Sequence, residues 1–106
     1  MQLNQILQGI EPVSTFGPTD VEIAAIRYDS RGINPGNLFV AIRGEKVDGN
    51  NYVATALDRG AFAIISEQPV PAGFARTWAQ VRSARQALAL ASANFYRHPG
   101  RSLKLI

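Results

Sequence analysis

The chain has 106 residues, enough for one hydrophobic core and too few for two of ordinary size, so residues 1–106 are read as a single domain. A composition of 46% hydrophobic and 18% charged residues excludes a disordered or fibrous chain, and no apolar run reaches the roughly 18 residues of a helical membrane span. The formal charge of +3 comes from dispersed Lys and Arg, the absence of cysteine excludes a disulfide framework and a thiolate metal site, and a lone histidine argues against a zinc site.

Taken in chain order, Leu3, Ile6, Leu7 and Ile10 recur at helical spacing and predict a short helix closed near Gly9. Residues 11–20 (EPVSTFGPTD) read as a loop, marked by two prolines and a glycine. Residues 21–28 (VEIAAIRY) read as a strand. Val21 and Ile23 share one alternation and Ile26 and Tyr28 the other, which predicts a bulge near Ala24 and Ala25. After the turn INPGN, the uninterrupted apolar run at 38–42 (LFVAI) suits a strand covered on both faces, the expected centre of the sheet.

A polar loop (RGEKVDGNN) then leads into helical spacing through Tyr52, Val53, Ala56 and Leu57, closed by Gly60. AFAII at 61–65 is the next strand, so strand, helix and strand fit within about thirty residues, the length of a parallel crossover unit. Residues 66–75 form a loop and 77–81 (TWAQV) a short strand. Ser83 and Gln86 form a capping box for a helix with Ala84, Ala87, Leu88, Ala91 and Phe95 on one face, ending before Pro99. SLKLI at 102–106 looks like the start of a strand, and its apolar end gives the expectation of a piece of something longer. The sum is an α/β fold: a small sheet of four to five strands with flanking helices.

Two stretches offer ligand chemistry. Asp29-Ser30-Arg31 stands where a strand runs into a Pro-Gly turn; a serine hydroxyl can donate to a phosphate oxygen and an arginine can bridge an anion with two hydrogen bonds. Pattern alone favours the plainer reading, in which Asp29 and Ser30 cap the turn and Asp29 pairs with Arg31 at the surface. The second stretch is the loop 44–49 (GEKVDG), with glycines that admit a ligand to the backbone and Lys46 as a mobile charge. Its plainer reading is a connector with Asp48-Gly49 as the turn and an Asn as the helix cap. His98 suits a helix-end role, and Trp78 and Phe95 suit the core. No nucleotide-hydrolysis, dinucleotide or hydrolase motif is present, and no basic run with aromatic platforms points to nucleic acid. By itself the pattern is that of a binding module, with the cytoplasm as the default compartment.

The run DSRGINPGNLFVAIRGEKVDGNNYVATALDRGAFAII resembles the N-terminal domain of the Mur ligases, whose pattern is D-S-R, P-G-D-L-F-V-A, a glycine, D-G, an aliphatic helix, G-A and an apolar strand. VRSARQALALASANFYRHPGRSLKLI is similar to the segment that closes this domain in the UDP-N-acetylmuramoyl-tripeptide synthetases (MurE) and leads to their ATP-binding loop. The MurF ligases share the first features and stand as the alternative. A stand-alone binding module of the same fold is the alternative of another class. The resemblance implies a domain that holds the UDP end of UDP-N-acetylmuramoyl-L-alanyl-D-glutamate. In the full-length ligase a central domain would bind ATP with Mg²⁺, and diaminopimelate or lysine would be added in peptidoglycan synthesis. No catalytic residue, metal ligand or cofactor is expected in this chain. Carried over position by position, the resemblance implies that Ser30 and Tyr28 contact the nucleotide substrate and that Glu45, Lys46 and Val47 touch the UDP moiety. Asn37 replaces the family's usual Asp, and the 45–47 triplet differs from its commoner His-Gln-Ala type.

Overall fold

Almost every position from Asn37 to Ala41 is dry, and that requires cover on both faces of the strand they form. A computed structural model describes residues 1–96; the strand expected at 102–106 and His98 lie outside the described residues. Strands β1 (Ser14–Phe16), β2 (Ala25–Arg27), β3 (Asn37–Val40), β4 (Ala63–Ser66) and β5 (Thr77–Gln80) form one sheet in the order β1-β5-β4-β3-β2. Strands β2 to β5 are mutually parallel, and β1 runs antiparallel to β5. Helices α1 (Leu3–Ile6) and α3 (Ala84–Tyr96) cover one face, and α2 (Val53–Asp58) covers the other.

Alternation along β3 and β4 feeds two separate cores. Leu38 and Val40, with Ala63 and Ile65, point toward α1 and α3, where Ala84, Ala87, Ala91 and Phe95 meet them. Phe39 and Ile64 point the other way, onto Ala56 of α2 and Trp78 of β5. Trp78 and Phe95 are therefore core residues, and the face expected for α3 is the face it buries, with Leu88 half-buried at its margin. The Trp78 indole donates to the Gln68 carbonyl at 2.9 Å, and Phe74 packs edge-on against it at 5.2 Å, so the 67–76 loop closes over this core.

The parity change at Ala24 marks a change of partner. Residues 21–23 pair with the N-terminus, through Leu3 N–H to the Val21 carbonyl and Ile23 N–H to the Met1 carbonyl, both 2.9 Å. From Ala24, whose N–H donates to the Gly36 carbonyl at 2.9 Å, the chain pairs with β3 instead. Ile23 and Ile26 can then both enter the α1/α3 core despite their opposite parity. The strand proper is only three residues long, shorter than the 21–28 expected.

Two further expectations change. The central strand is β4, with β3 one place out, because β1 adds to the far side of β5. Strand β1 lies inside the stretch expected to be a loop: its three residues are all exposed, so nothing in their polarity alternates, and what makes them a strand is pairing with Thr15 opposite Ala79. At the start of α3 the Ser83 hydroxyl accepts from Gln86 N–H at 3.2 Å, half of the expected box. A carboxylate oxygen of Glu67 accepts from Ala84 N–H at 2.9 Å. Asn94 on α3 donates at 2.8 Å to the carbonyls of Ile6 and of Gln8, tying the end of α1 to α3.

The double burial has an energetic consequence at β4. Ile65 is fully buried, and Ile65→Ala is expected to cost about 2–5 kcal/mol, the range for a truncated core aliphatic residue. Leu90→Ala, on the exposed side of α3, is expected to cost less than about 1 kcal/mol. Urea unfolding of both variants checks this; equal costs would mean that the α1/α3 face is not packed on the sheet.

Candidate functional site

Parallel strands end together, and the carboxyl ends of β2 and β3 open into a cleft of about 820 Å³. Three walls surround it. Tyr28 to Arg31 follow β2, Ile42 to Tyr52 follow β3, and Arg85 with Leu88 come from α3.

The first wall is a 3₁₀ turn over Ser30–Gly32, and Asp29 caps it: its carboxylate accepts from Arg31 N–H at 3.0 Å. The same carboxylate takes the Arg31 guanidinium side-on, with Nε to Oδ1 at 3.1 Å and Nη2 to Oδ2 at 2.7 Å. Turn chemistry at Asp29-Ser30-Arg31 thus rests on its two charged members. Ser30 is 7% exposed and lines the cleft. Arg59, just past α2, braces this turn from behind by donating to the carbonyls of Arg31 at 3.1 Å and Ile33 at 3.3 Å. Gly60 follows it with φ +103°, and a Cβ there would stand 2.7 Å from Pro35 Cα, so only glycine admits this close approach. Asn37 belongs to the next turn, where its side-chain oxygen accepts from Asn34 N–H at 2.9 Å, a bond an Asp oxygen would equally accept.

The second wall is a narrow hairpin. Arg43 pairs with Asp48, and Gly44 N–H donates to the Val47 carbonyl at 2.8 Å, leaving Glu45 and Lys46 exposed at the tip. Gly49 N–H donates to the Ile42 carbonyl at 2.8 Å, and a Cβ on Gly49 would lie 2.7 Å from Ile42 N, so the loop returns against the strand end itself. The following turn, Gly49–Tyr52, is capped by Asp48 rather than by an asparagine: its carboxylate accepts from Asn50 N–H at 2.9 Å and from Asn50 Nδ2 at 2.8 Å. Those bonds from Asn50 hold the Asp48 carboxyl below its ordinary value. The buried Ser66 hydroxyl at the end of β4 bonds the Asn50 side-chain oxygen, so a third strand fixes this turn.

Of the positions expected in the site, Tyr28, Ser30 and Val47 line the cleft together, while Glu45 and Lys46 stand beside Val47 at the exposed tip. Tyr28 and Val47 are 66% and 56% exposed, so each offers apolar surface to a ligand rather than to the core. Tyr52 and Arg85 are lining residues that the sequence reading missed. Helical spacing places Tyr52 on a packed stripe, but it ends a 3₁₀ turn and is exposed. Arg85 carried a signal, since a cation in the first turn of a helix with no acidic residue beside it opposes the macrodipole.

A family model described as "Mur ligase family, catalytic domain" matches residues 22–96. The chain belongs to the Mur ligase family. It is 43% identical to the UDP-N-acetylmuramyl-tripeptide synthetase of Roseiflexus sp. (strain RS-1), over 100% of this chain and 21% of that protein. It is 41% identical to the UDP-N-acetylmuramoyl-L-alanyl-D-glutamate--2,6-diaminopimelate ligase of Solibacter usitatus (strain Ellin6076), over 99% and 22%. Among solved structures, MurF from Acinetobacter baumannii superimposes with a TM-score of 0.76 at 26% identity, over 91% of this chain and 21% of that one. The fold is that of the Mur ligase N-terminal domain, and the chain spans about a fifth of the length of these relatives.

The Arg31 side chain donates to Asp29 and its backbone N–H adds a second bond, and together they pull the Asp29 carboxyl from an ordinary 3.8 to about 2. A depressed carboxylate contributes stability above its ordinary value that is lost as the pH falls toward the folded value, so this turn loosens between about pH 4 and pH 2. A carbon-detected NMR titration is expected to place the Asp29 midpoint near the lower end of that window, and Arg31→Gln to move it up toward 3.8. An unchanged midpoint in the variant would remove Arg31 as the cause.

Proposed function

We propose that this chain binds the UDP end of UDP-N-acetylmuramoyl-L-alanyl-D-glutamate as the N-terminal domain of a MurE-type ligase. The full-length protein, in this reading, is a cytoplasmic ATP-dependent ligase that adds diaminopimelate or lysine during peptidoglycan synthesis. One observation carries the substrate assignment: Tyr28, Ser30 and Val47, from two separate connections, line a single cleft at the carboxyl ends of parallel strands. Exposed tyrosines at 28 and 52 offer faces for a base, and the Ser30 hydroxyl offers a donor to an oxygen of the ligand. The cleft is large enough for a nucleotide.

The relatives named as tripeptide synthetase or diaminopimelate ligase are 33–43% identical to this chain. The solved structures named MurF stand at 26–27%. The identity difference supports the MurE-type reading over MurF.

ATP and Mg²⁺ would activate the substrate carboxylate elsewhere in the ligase. The residues here do not fit either group: the sequence lacks a phosphate loop, and among the described residues no three His, Cys, Asp or Glu side chains converge. No helix among the described residues is long and apolar enough to cross a membrane.

Titrating the isotope-labelled chain with UDP and with the UDP-muramoyl dipeptide, followed by amide shifts, tests the reading. Shifts are expected at Ser30 and at 45–49, and ATP with Mg²⁺ is expected to leave those amides in place. Shifts confined to other surfaces, or none at millimolar ligand, would overturn the substrate assignment. In the same assay Ser30→Ala is expected to weaken UDP binding by about 1.5–3 kcal/mol, as for loss of a hydrogen bond to a charged group. An equal affinity would return Ser30 to a purely structural part of its turn.

A further inference from the structure

The charges around the cleft cancel in pairs, with one exception. Arg31 is held side-on by the Asp29 carboxylate, so the two residues bring no net charge to the wall they share. Glu45 and Lys46 stand next to each other at the hairpin tip and likewise cancel. Arg85 lines the same cleft from α3, is exposed, and among the described residues forms no ion pair. It therefore sets the sign of the cleft.

Its position is also unfavourable for the helix. Arg85 stands in the first turn of α3, which has no acidic residue, at the end where the backbone dipole repels a cation. The helix start has no need of it, because Ser83 and Glu67 already accept from the backbone N–H groups of Gln86 and Ala84. A planar guanidinium with five donors, uncompensated and facing a cleft that also holds tyrosine rings, is suited to a ligand that joins an aromatic base to a polyanion.

Resting on the UDP reading above, we propose that the Arg85 guanidinium binds the diphosphate of the nucleoside diphosphate group, so that the base and the diphosphate are held by different walls of the cleft. The base lies toward Tyr28 and Val47, on the sheet connections, and the diphosphate lies toward α3. Arg85 is then a binding residue contributed by a helix rather than by the strand ends.

Calorimetry or NMR titration of the chain with uridine, UMP and UDP, in the parent and in Arg85→Gln, Arg85→Lys and Arg82→Gln, tests this. Arg85→Gln is expected to lower UDP affinity roughly tenfold, as for a lost charge-assisted contact, and to leave uridine affinity unchanged. Arg85→Lys keeps the charge without the planar fork and is expected to fall between the two. Arg82→Gln makes the same change in net charge on the exposed Arg82, which lines a separate 210 Å³ cavity, and is expected to bind UDP like the parent. The salt dependence of UDP binding is expected to be shallower in Arg85→Gln than in the parent. If the parent binds UDP and Arg85→Gln binds it equally, the Arg85 assignment fails and the UDP reading stands. Equal losses in Arg82→Gln and Arg85→Gln would reduce the effect to overall charge and also overturn it. If the parent binds neither uridine nor UDP, the UDP reading fails and this assignment with it.

Discussion

Burial of β3 and β4 on both faces is the constraint from which the remaining architecture follows. Strands whose alternate residues feed two cores must carry helices above and below, and they cannot present functional side chains from their middles. Polar chemistry is displaced to the strand ends. The connections after β2 and β3 leave the sheet at the same edge because the strands are parallel, so displacement brings their polar residues together without any direct sequence proximity. A cleft at that edge is thus a product of the core.

What keeps the cleft in shape is a set of polar contacts aimed at backbone and turn groups. Asp29 and Asp48 do equivalent work on the two connections, each capping a 3₁₀ turn with its carboxylate. Arg59 reaches the first turn from the end of α2, and Ser66 reaches the second from the end of β4. Each of these two walls is therefore braced by an element that does not itself line the cleft. Net contributions of single hydrogen bonds are only about 0.5–1.5 kcal/mol, so these braces matter less for overall stability than for fixing where Ser30 and Tyr52 stand.

Much of this was legible from residue order. The apolar run at 38–42, the helix closed by Gly60 and the face of α3 all followed from periodicity, since each buries a regular stripe. The parity slip at Ala24 was legible as a position, though its cause was not: only the fold shows that the N-terminus takes over as partner there. Strand β1 left no trace, because an exposed edge strand of three residues is held by backbone pairing and not by side chains. In the site, the likeness to Mur ligases pointed to Tyr28, Ser30 and Val47, whereas Arg85 is 55 residues from Ser30 in a chain numbered continuously and met them only through packing of α3 on the sheet. Spacing motifs cannot register a contact of that kind.

The hairpin at 43–48 carries its own consequence. Its shape is held by backbone bonds, Gly44 to Val47 and Gly49 to Ile42, and by glycines that must stay small. The two tip side chains take no part in that frame. Glu45 and Lys46 occupy a site where sequence can drift under selection for a ligand alone, with little penalty in folding. A lineage could revise what the rim of its cleft recognises by changing two codons, leaving the sheet, the caps and the helices exactly as inherited.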